Sequence, residues 1–256
     1  MDITLIQSKL YWENKEQNVA HFEQLINGIE EHTDLIILPE MFATGFTMNA
    51  STYAEKMDGK VIDWMKKISS KKKASLCGSL IIEDDNKYYN RFIFIEPNGN
   101  IHHYDKRHLF RMGEENDHYS RGNGRIIIEQ NGFKIFPVVC YDLRFPVWLR
   151  RTKEFDYDLM IVVANWPERR NLAWKNLLQA RAIENQTYVA GVNRVGEDGS
   201  AMYHSGDTTL IDPKGEIICQ TAHDAFVKTF TINKTMLDEW RRSFPVIEDA
   251  DYFQIG

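Results

Sequence analysis

Short apolar runs alternate with amphipathic helical stretches along the whole chain, which predicts a mixed α/β fold in a single domain over residues 1–256. Three observations carry that expectation. The runs at 35–39, 136–139 and 159–163 are short and apolar and read as strands, the first buried on both faces if it is central. Between such runs, apolar residues recur at helical spacing. No linker, internal repeat or low-complexity segment interrupts the pattern.

Taken in order, residues 3–7 read as a first strand. Asn14, with Gln17 three residues later, fits a capping box. The helix it opens presents Val19, Phe22, Ile26 and Ile29 on one face. Residues 35–39 form the next strand and 61–72 a helix, whose Lys71-Lys72-Lys73 end suits the helix dipole and solvent. A strand at 76–82 follows. Strands at 88–95 and 101–104 are joined by the turn Glu96-Pro97-Asn98-Gly99. A looser stretch, rich in charge and glycine, covers 109–124. Strands are expected at 126–128 and 133–139, and a helix from Pro146 to about residue 153. After the strand at 159–163, a helix at 170–185 carries Trp174, Leu177, Leu178, Ala182 and Ile183 on its apolar side. Strands return at 188–192, 208–211, 216–219 and 225–231, with Asp212-Pro213-Lys214-Gly215 as a tight turn. The pattern fits one sheet with helices on both faces, and equally two stacked sheets between helix layers.

The composition is that of a soluble globular protein: 43% hydrophobic and 27% charged residues. A net charge of −6 argues against a general nucleic-acid binder. Cys77, Cys140 and Cys219 are an odd, widely spaced set, neither a disulfide framework nor zinc-ligand spacing. No basic segment followed by a long apolar one opens the chain, and no apolar run reaches membrane-span length. The expected setting is the reducing cytoplasm, with no membrane partner.

Three strand ends offer chemistry. Cys140 follows Phe136-Pro137-Val138-Val139 and precedes Tyr141-Asp142-Leu143-Arg144-Phe145-Pro146, a sharp turn into a helix. A thiol there meets backbone N–H groups and a helix N-terminus, which favour a thiolate; a buried structural cysteine is the plainer reading. Glu40 directly follows the strand at 35–39. It is a solvated turn carboxylate, or a buried base with a raised pKa. Lys106 follows the strand at 101–104. It is a surface lysine, or a cation aimed at a thiol or an oxyanion. Singly each is weak; together, an acid, a cation and a thiol at strand ends make the reactive reading the stronger one.

Leu38-Pro39-Glu40, Tyr104-Asp105-Lys106-Arg107-His108-Leu109-Phe110 and Val139-Cys140-Tyr141-Asp142-Leu143-Arg144-Phe145-Pro146 resemble the three signature segments of the nitrilase superfamily of carbon–nitrogen hydrolases, in the family's order. The resemblance runs from the first strand to Gly215. It implies a catalytic Glu40–Lys106–Cys140 triad and a four-layer αββα sandwich of two stacked mixed β-sheets flanked by helices. The family's second glutamate falls on Glu115, seven positions before Gly122, with Glu114 adjacent and the usual Ser missing. In this chemistry Glu40 relays protons while Cys140 attacks an amide carbon. Lys106 and the Tyr141 N–H hold the oxyanion, and Glu115 helps position the water that hydrolyses the thioester. No metal or organic cofactor is implied, and at least a homodimer is.

The segments around Cys140 and Ala164-Asn165-Trp166-Pro167 look closest to the ω-amidase branch, whose substrates are 2-oxoglutaramate and 2-oxosuccinamate. A substrate carboxylate needs a cation, for which Arg111 and Arg144 are the candidates, each with a structural ion pair as the alternative. Phe42 and Trp166 are candidate pocket walls, or ordinary core aromatics. Another activity of the superfamily is the nearer rival, either N-carbamoyl amide hydrolysis or deaminated-glutathione amidase. A Cys–His hydrolase of the papain type lacks its Cys-flanking segment, and His102, His103 and His223 read as solvated or structural. A catalytically silent binding protein is disfavoured by the intact triad.

Overall fold

A computed structural model describes residues 1–255, so Gly256, the last residue of the expected domain, lies outside the description. In chain order the first half contains β1 (Asp2–Gln7), α1 (Lys15–Asn27), β2 (Leu35–Ile37), α2 (Ala50–Tyr53), α3 (Lys60–Lys72), β3 (Ser75–Asp84), β4 (Lys87–Ile95), β5 (Ile101–Asp105) and α4 (Glu115–His118). The second half contains β6 (Ile128–Gln130), β7 (Phe133–Val139), α5 (Pro146–Leu149), β8 (Leu159–Val163), α6 (Asn171–Asn185), β9 (Tyr188–Val192), β10 (Val195–Glu197), β11 (Tyr203–Ile211), β12 (Ile217–Ala222), β13 (Phe226–Thr231) and α7 (Lys234–Ser243).

The strands build two stacked mixed sheets. One has the order β13-β1-β2-β3-β4-β5; the other has the order β10-β11-β9-β8-β7-β6, with β12 also on β11. In each, three central strands run parallel: β1, β2 and β3 in the first, β7, β8 and β9 in the second. The carboxyl ends of β2 and β7 therefore open where α/β proteins place their chemistry.

The uniform apolarity of the strands has a physical cause: both faces of each sheet are covered. Along the first sheet Ile3, Leu5, Leu35, Ile37, Phe92 and Phe94 face the second sheet, in one core with Ile135, Val139, Leu159 and Val163. The alternate residues Ile6, Ile36, Leu76, Ile93 and Ile95 pack instead against Phe22 and Ile26 of α1 and Val61, Met65 and Ile68 of α3. On the far side α6 contributes Trp174, Leu178 and Ala182. Two stacked sheets with outer helices thus resolve the choice that periodicity leaves open.

Several boundaries differ from expectation. The helix opened by Pro146 ends at Leu149, because Arg150 is extended and Arg151 is tied to Asn185 and Asp156. The strand expected at 126–128 instead spans Ile128–Gln130, where its pairing with β7 lies. Ile183 is exposed rather than on the buried side of α6, and lies against the Gly215 turn. Helix α7, which sequence periodicity does not announce, buries only Leu237 and is opened by the Asn233 side chain accepting from the Met236 N–H at 3.1 Å. No helix among the described residues is long and apolar enough to cross a membrane.

Candidate active site

Cys140 opens a short 3₁₀ turn, Cys140–Arg144, immediately after β7. Its φ of 46° lies in the left-handed region, which a side chain with a Cβ adopts only when the surroundings impose it. What imposes it is Asp142. This fully buried carboxylate accepts from the Val139 N–H at 3.1 Å, the His108 N–H at 2.9 Å and the Tyr104 hydroxyl at 2.8 Å. The His108 ring adds Nδ1 at 2.8 Å and stacks on Phe145 at 3.7 Å. Asp142 therefore fastens the cysteine turn to the chain just after β5, where Lys106 stands.

Lys106 is buried between two carboxylates. Its ammonium donates to Glu40 Oε1 at 3.0 Å and to both oxygens of Glu115, at 3.0 and 2.9 Å. Burial works against the ammonium, but the Glu115 and Glu40 charges outweigh it and hold its pKa above the ordinary lysine value. Glu115 is the buried member of its pair, whereas Glu114 is exposed, so the choice between the two falls on Glu115. Burial raises the Glu115 pKa more than Lys106 lowers it. The Phe110 N–H donates to Glu115 Oε2 at 2.6 Å.

Glu40 sits just beyond β2, fully buried, with each oxygen assigned. Oε1 takes Lys106 and the Asn90 amide at 2.8 Å, and Oε2 takes the Asn165 backbone N–H at 2.7 Å. Asn90 also donates to Glu115 Oε1 at 3.1 Å and accepts from Ser79, tying both carboxylates to β3 and β4. Burial pushes the Cys140 thiol well above the ordinary range; the Glu40 charge adds to this and Lys106 opposes it. At rest the group is a neutral thiol beside an ion-paired carboxylate, ready to pass a proton when a substrate arrives.

These residues floor a cleft of about 380 Å³, of a size for a small ligand. Phe46, Phe110, Tyr141 and Trp166 supply aromatic walls. Trp12 and the 198–204 segment close the far side, where Gly199 allows contact: a Cβ there would meet the indole at 2.3 Å. Arg144, Arg169 and Arg170 also line the cleft. Arg144 lies over the Trp166 ring at 4.9 Å and Arg170 over Phe110 at 5.0 Å. Neither has a carboxylate at ion-pair distance among the described residues.

Of the residues singled out from sequence, Glu40, Lys106, Cys140, Glu115, Tyr141, Arg144 and Trp166 converge on this cleft or its floor. Phe42 does not. The left-handed φ of 42° at Met41 turns the chain after Glu40, so Phe42 packs into the helix-side core with Phe22 and Trp64, over Gly78 where a Cβ would collide. Arg111 is exposed and also outside the lining; its short turn, Arg111–Gly113, gives Met112 and Gly113 to the cleft instead. Sequence reasoning misses Asn90, Arg170 and His204. Asn90 sits beside Arg91 in the polar first half of β4, so its strand carries no pattern that singles it out. His204 lines the cleft although buried, its pKa pushed down to about 4 by burial and by Arg194. His102 and His223 pair with Glu96 and Tyr203.

A family model for carbon–nitrogen hydrolases matches residues 2–242. The chain belongs to the carbon–nitrogen hydrolase family. This hydrolase is 46% identical over 256 residues to "Omega-amidase YafV" of Escherichia coli (strain K12), covering 100% of this chain and 98% of that protein. It is 30% identical to "2-oxoglutaramate amidase" of Bacillus subtilis (strain 168), over 96% of each chain. Among solved structures, XC1258 from Xanthomonas campestris, a CN-hydrolase superfamily protein with an arsenic adduct in its active site, superposes with a TM-score of 0.97 at 40% identity, covering 100% and 99% of the two chains. The nitrilase superfamily member Nit3 of Saccharomyces cerevisiae, at 22% identity and a TM-score of 0.86, shares the fold.

Proposed function

We propose that this carbon–nitrogen hydrolase is an ω-amidase, cleaving the terminal amide of 2-oxoglutaramate or 2-oxosuccinamate to the 2-oxo diacid and ammonia. Relatives bearing the names omega-amidase and 2-oxoglutaramate amidase support the activity. The single observation that carries the substrate class is the pair Arg144 and Arg170. Among the described residues these two guanidinium groups have no carboxylate at ion-pair distance, and Arg170 lies within electrostatic reach of Arg169, Cys140, Arg144 and Tyr141. A substrate carboxylate fills that cationic end and leaves the amide over the thiol.

Cys140 Sγ attacks the amide carbon as its proton passes to Glu40. The Lys106 ammonium has three N–H donors and rests on three carboxylate oxygens, one of Glu40 and two of Glu115; when substrate binds, one of the two Glu115 contacts is given up and that N–H turns to the oxyanion, alongside the Tyr141 N–H. Such donors contribute about 3–4 kcal/mol each to the transition state. Collapse expels ammonia with the proton held by Glu40. Water then attacks the thioester, Glu40 takes its proton, and the acid and the thiol are released. Glu115 holds Lys106 charged and in place throughout. The enzyme acts in the cytoplasm and as at least a homodimer in this reading.

An ammonia-release panel tests the proposal with 2-oxoglutaramate, glutamine, a simple nitrile and an N-carbamoyl compound. We expect kcat/KM for 2-oxoglutaramate to exceed the others by at least about tenfold, the equivalent of one well-made charged contact. Preference for glutamine or the N-carbamoyl compound overturns it.

A further inference from the structure

We infer that the side-chain oxygen of Asn165 accepts a hydrogen bond from the N–H of the scissile amide, so that Asn165 selects for a nitrogen leaving group. The inference rests on the reading of the cleft as an amide-cleaving site and adds a residue to it.

Asn165 directly follows the Ala164 that continues β8, and it lines the cleft with Glu40 and Cys140. Two hydrogen bonds pin it to Glu40: its backbone N–H donates to Oε2 at 2.7 Å, and its side-chain Nδ2 donates to the Glu40 carbonyl at 2.5 Å. The second bond fixes which way the carboxamide faces, because a carbonyl oxygen takes only a donor, and a flipped amide would set oxygen against oxygen. Oδ1 is then committed to the other side. Asn165 is 7% exposed, and Oδ1 is buried with no hydrogen-bond partner among the described residues. Orphaned acceptors at such burial are costly and rare, and call for a partner that the resting protein does not supply.

The chemistry of the cleft identifies that partner. A substrate carboxylate, 2-oxo group or amide carbonyl offers only lone pairs, which Oδ1 repels. The amide nitrogen alone carries hydrogens. It must also come to rest beside Glu40, which delivers the proton on which ammonia leaves, and Asn165 is bonded to both the carboxylate and the backbone of that residue. An ester places a bare oxygen at the same point and leaves Oδ1 unmet. Sites built around a hydrogen-bonding group discriminate strongly against analogues that lack its partner.

The test separates this role from mere support of Glu40. Glu40 serves the amide and the ester alike, whereas only the amide brings an N–H to Oδ1. Rapid-quench mass measurement gives the acylation rate with each substrate for the wild type, Asn165→Ala and Asn165→Ser, the serine retaining a donor for the Glu40 carbonyl. We expect acylation by 2-oxoglutaramate to fall about 10–100-fold further than acylation by the corresponding 2-oxoglutarate ester in both variants. Equal losses for amide and ester overturn the assignment. Wild type that forms no acyl-enzyme from the 2-oxo-acid amide contradicts the parent reading instead. The same comparison on the amide it does cleave, and its ester, then decides Asn165 separately.

Discussion

The Tyr104 hydroxyl donates to Asp142 Oδ2 at 2.8 Å, and this bond joins the strand that ends just before Lys106 to the turn that holds Cys140. The Trp148 indole in turn donates to the Tyr104 oxygen at 3.1 Å. Removing the hydroxyl in Tyr104→Phe leaves a buried carboxylate short of a donor. The expected cost is about 1–3 kcal/mol of stability in urea unfolding. We also expect kcat to fall with KM little changed, since the thiol is held less firmly over the amide. A variant with full stability and full kcat removes Asp142 as the anchor of the turn.

Lys106→Met isolates the ammonium. It leaves Glu40 and Glu115 buried together without a cation, a defect worth about 3–5 kcal/mol at neutral pH. The penalty falls on the charged carboxylates, so protonation relieves it, and the deficit shrinks as pH drops from 8 to 5. In the wild type, the raised Lys106 pKa gives a contribution fully present below the ordinary lysine range, lost only as pH rises through the folded value. Denaturant titrations of both proteins at the two pH values check this. A pH-independent deficit contradicts the buried ion cluster.

Alkylation of Cys140 by iodoacetamide without substrate reports the thiol directly. Its upward shift comes first from burial and then from Glu40. The rate is therefore expected to keep climbing above pH of about 8.5, the ordinary thiol value. Glu40→Gln removes one of the raising charges, so its profile should move to lower pH. A wild-type midpoint at or below the ordinary value contradicts a neutral resting thiol.

Arg144→Ala and Arg170→Ala test carboxylate recognition. Each should raise KM for 2-oxoglutaramate about 10–100-fold, the equivalent of one charged hydrogen-bonded contact. A neutral short-chain amide should be affected several-fold less. Equal effects on both substrates take that arginine out of the carboxylate site.

Much of this cleft is legible from the chain because its floor is built at strand ends, where a residue's type and its place after an apolar run are both visible. Glu40, Lys106 and Cys140 are of that kind. Glu115 is legible only through the spacing of a motif, and burial separates it from its neighbour Glu114. Phe42 and Arg111 mislead because one left-handed residue, Met41, and one short turn decide which way a side chain leaves the backbone, and neither writes a periodic pattern. Arg170 escapes notice because it enters the cleft from the start of a helix read for its apolar face. The stacking of two sheets, too, depends on which apolar faces meet, which strand periodicity alone does not say.

Ammonia release from 2-oxoglutaramate by wild type and Cys140→Ala, compared side by side, tests the central claim most directly. The wild type should release ammonia and 2-oxoglutarate in equal amounts. Cys140→Ala should release none while keeping the wild-type circular dichroism and unfolding curve. Residual turnover within about tenfold of wild type, far above what loss of a nucleophile leaves, would contradict a thioester on Cys140.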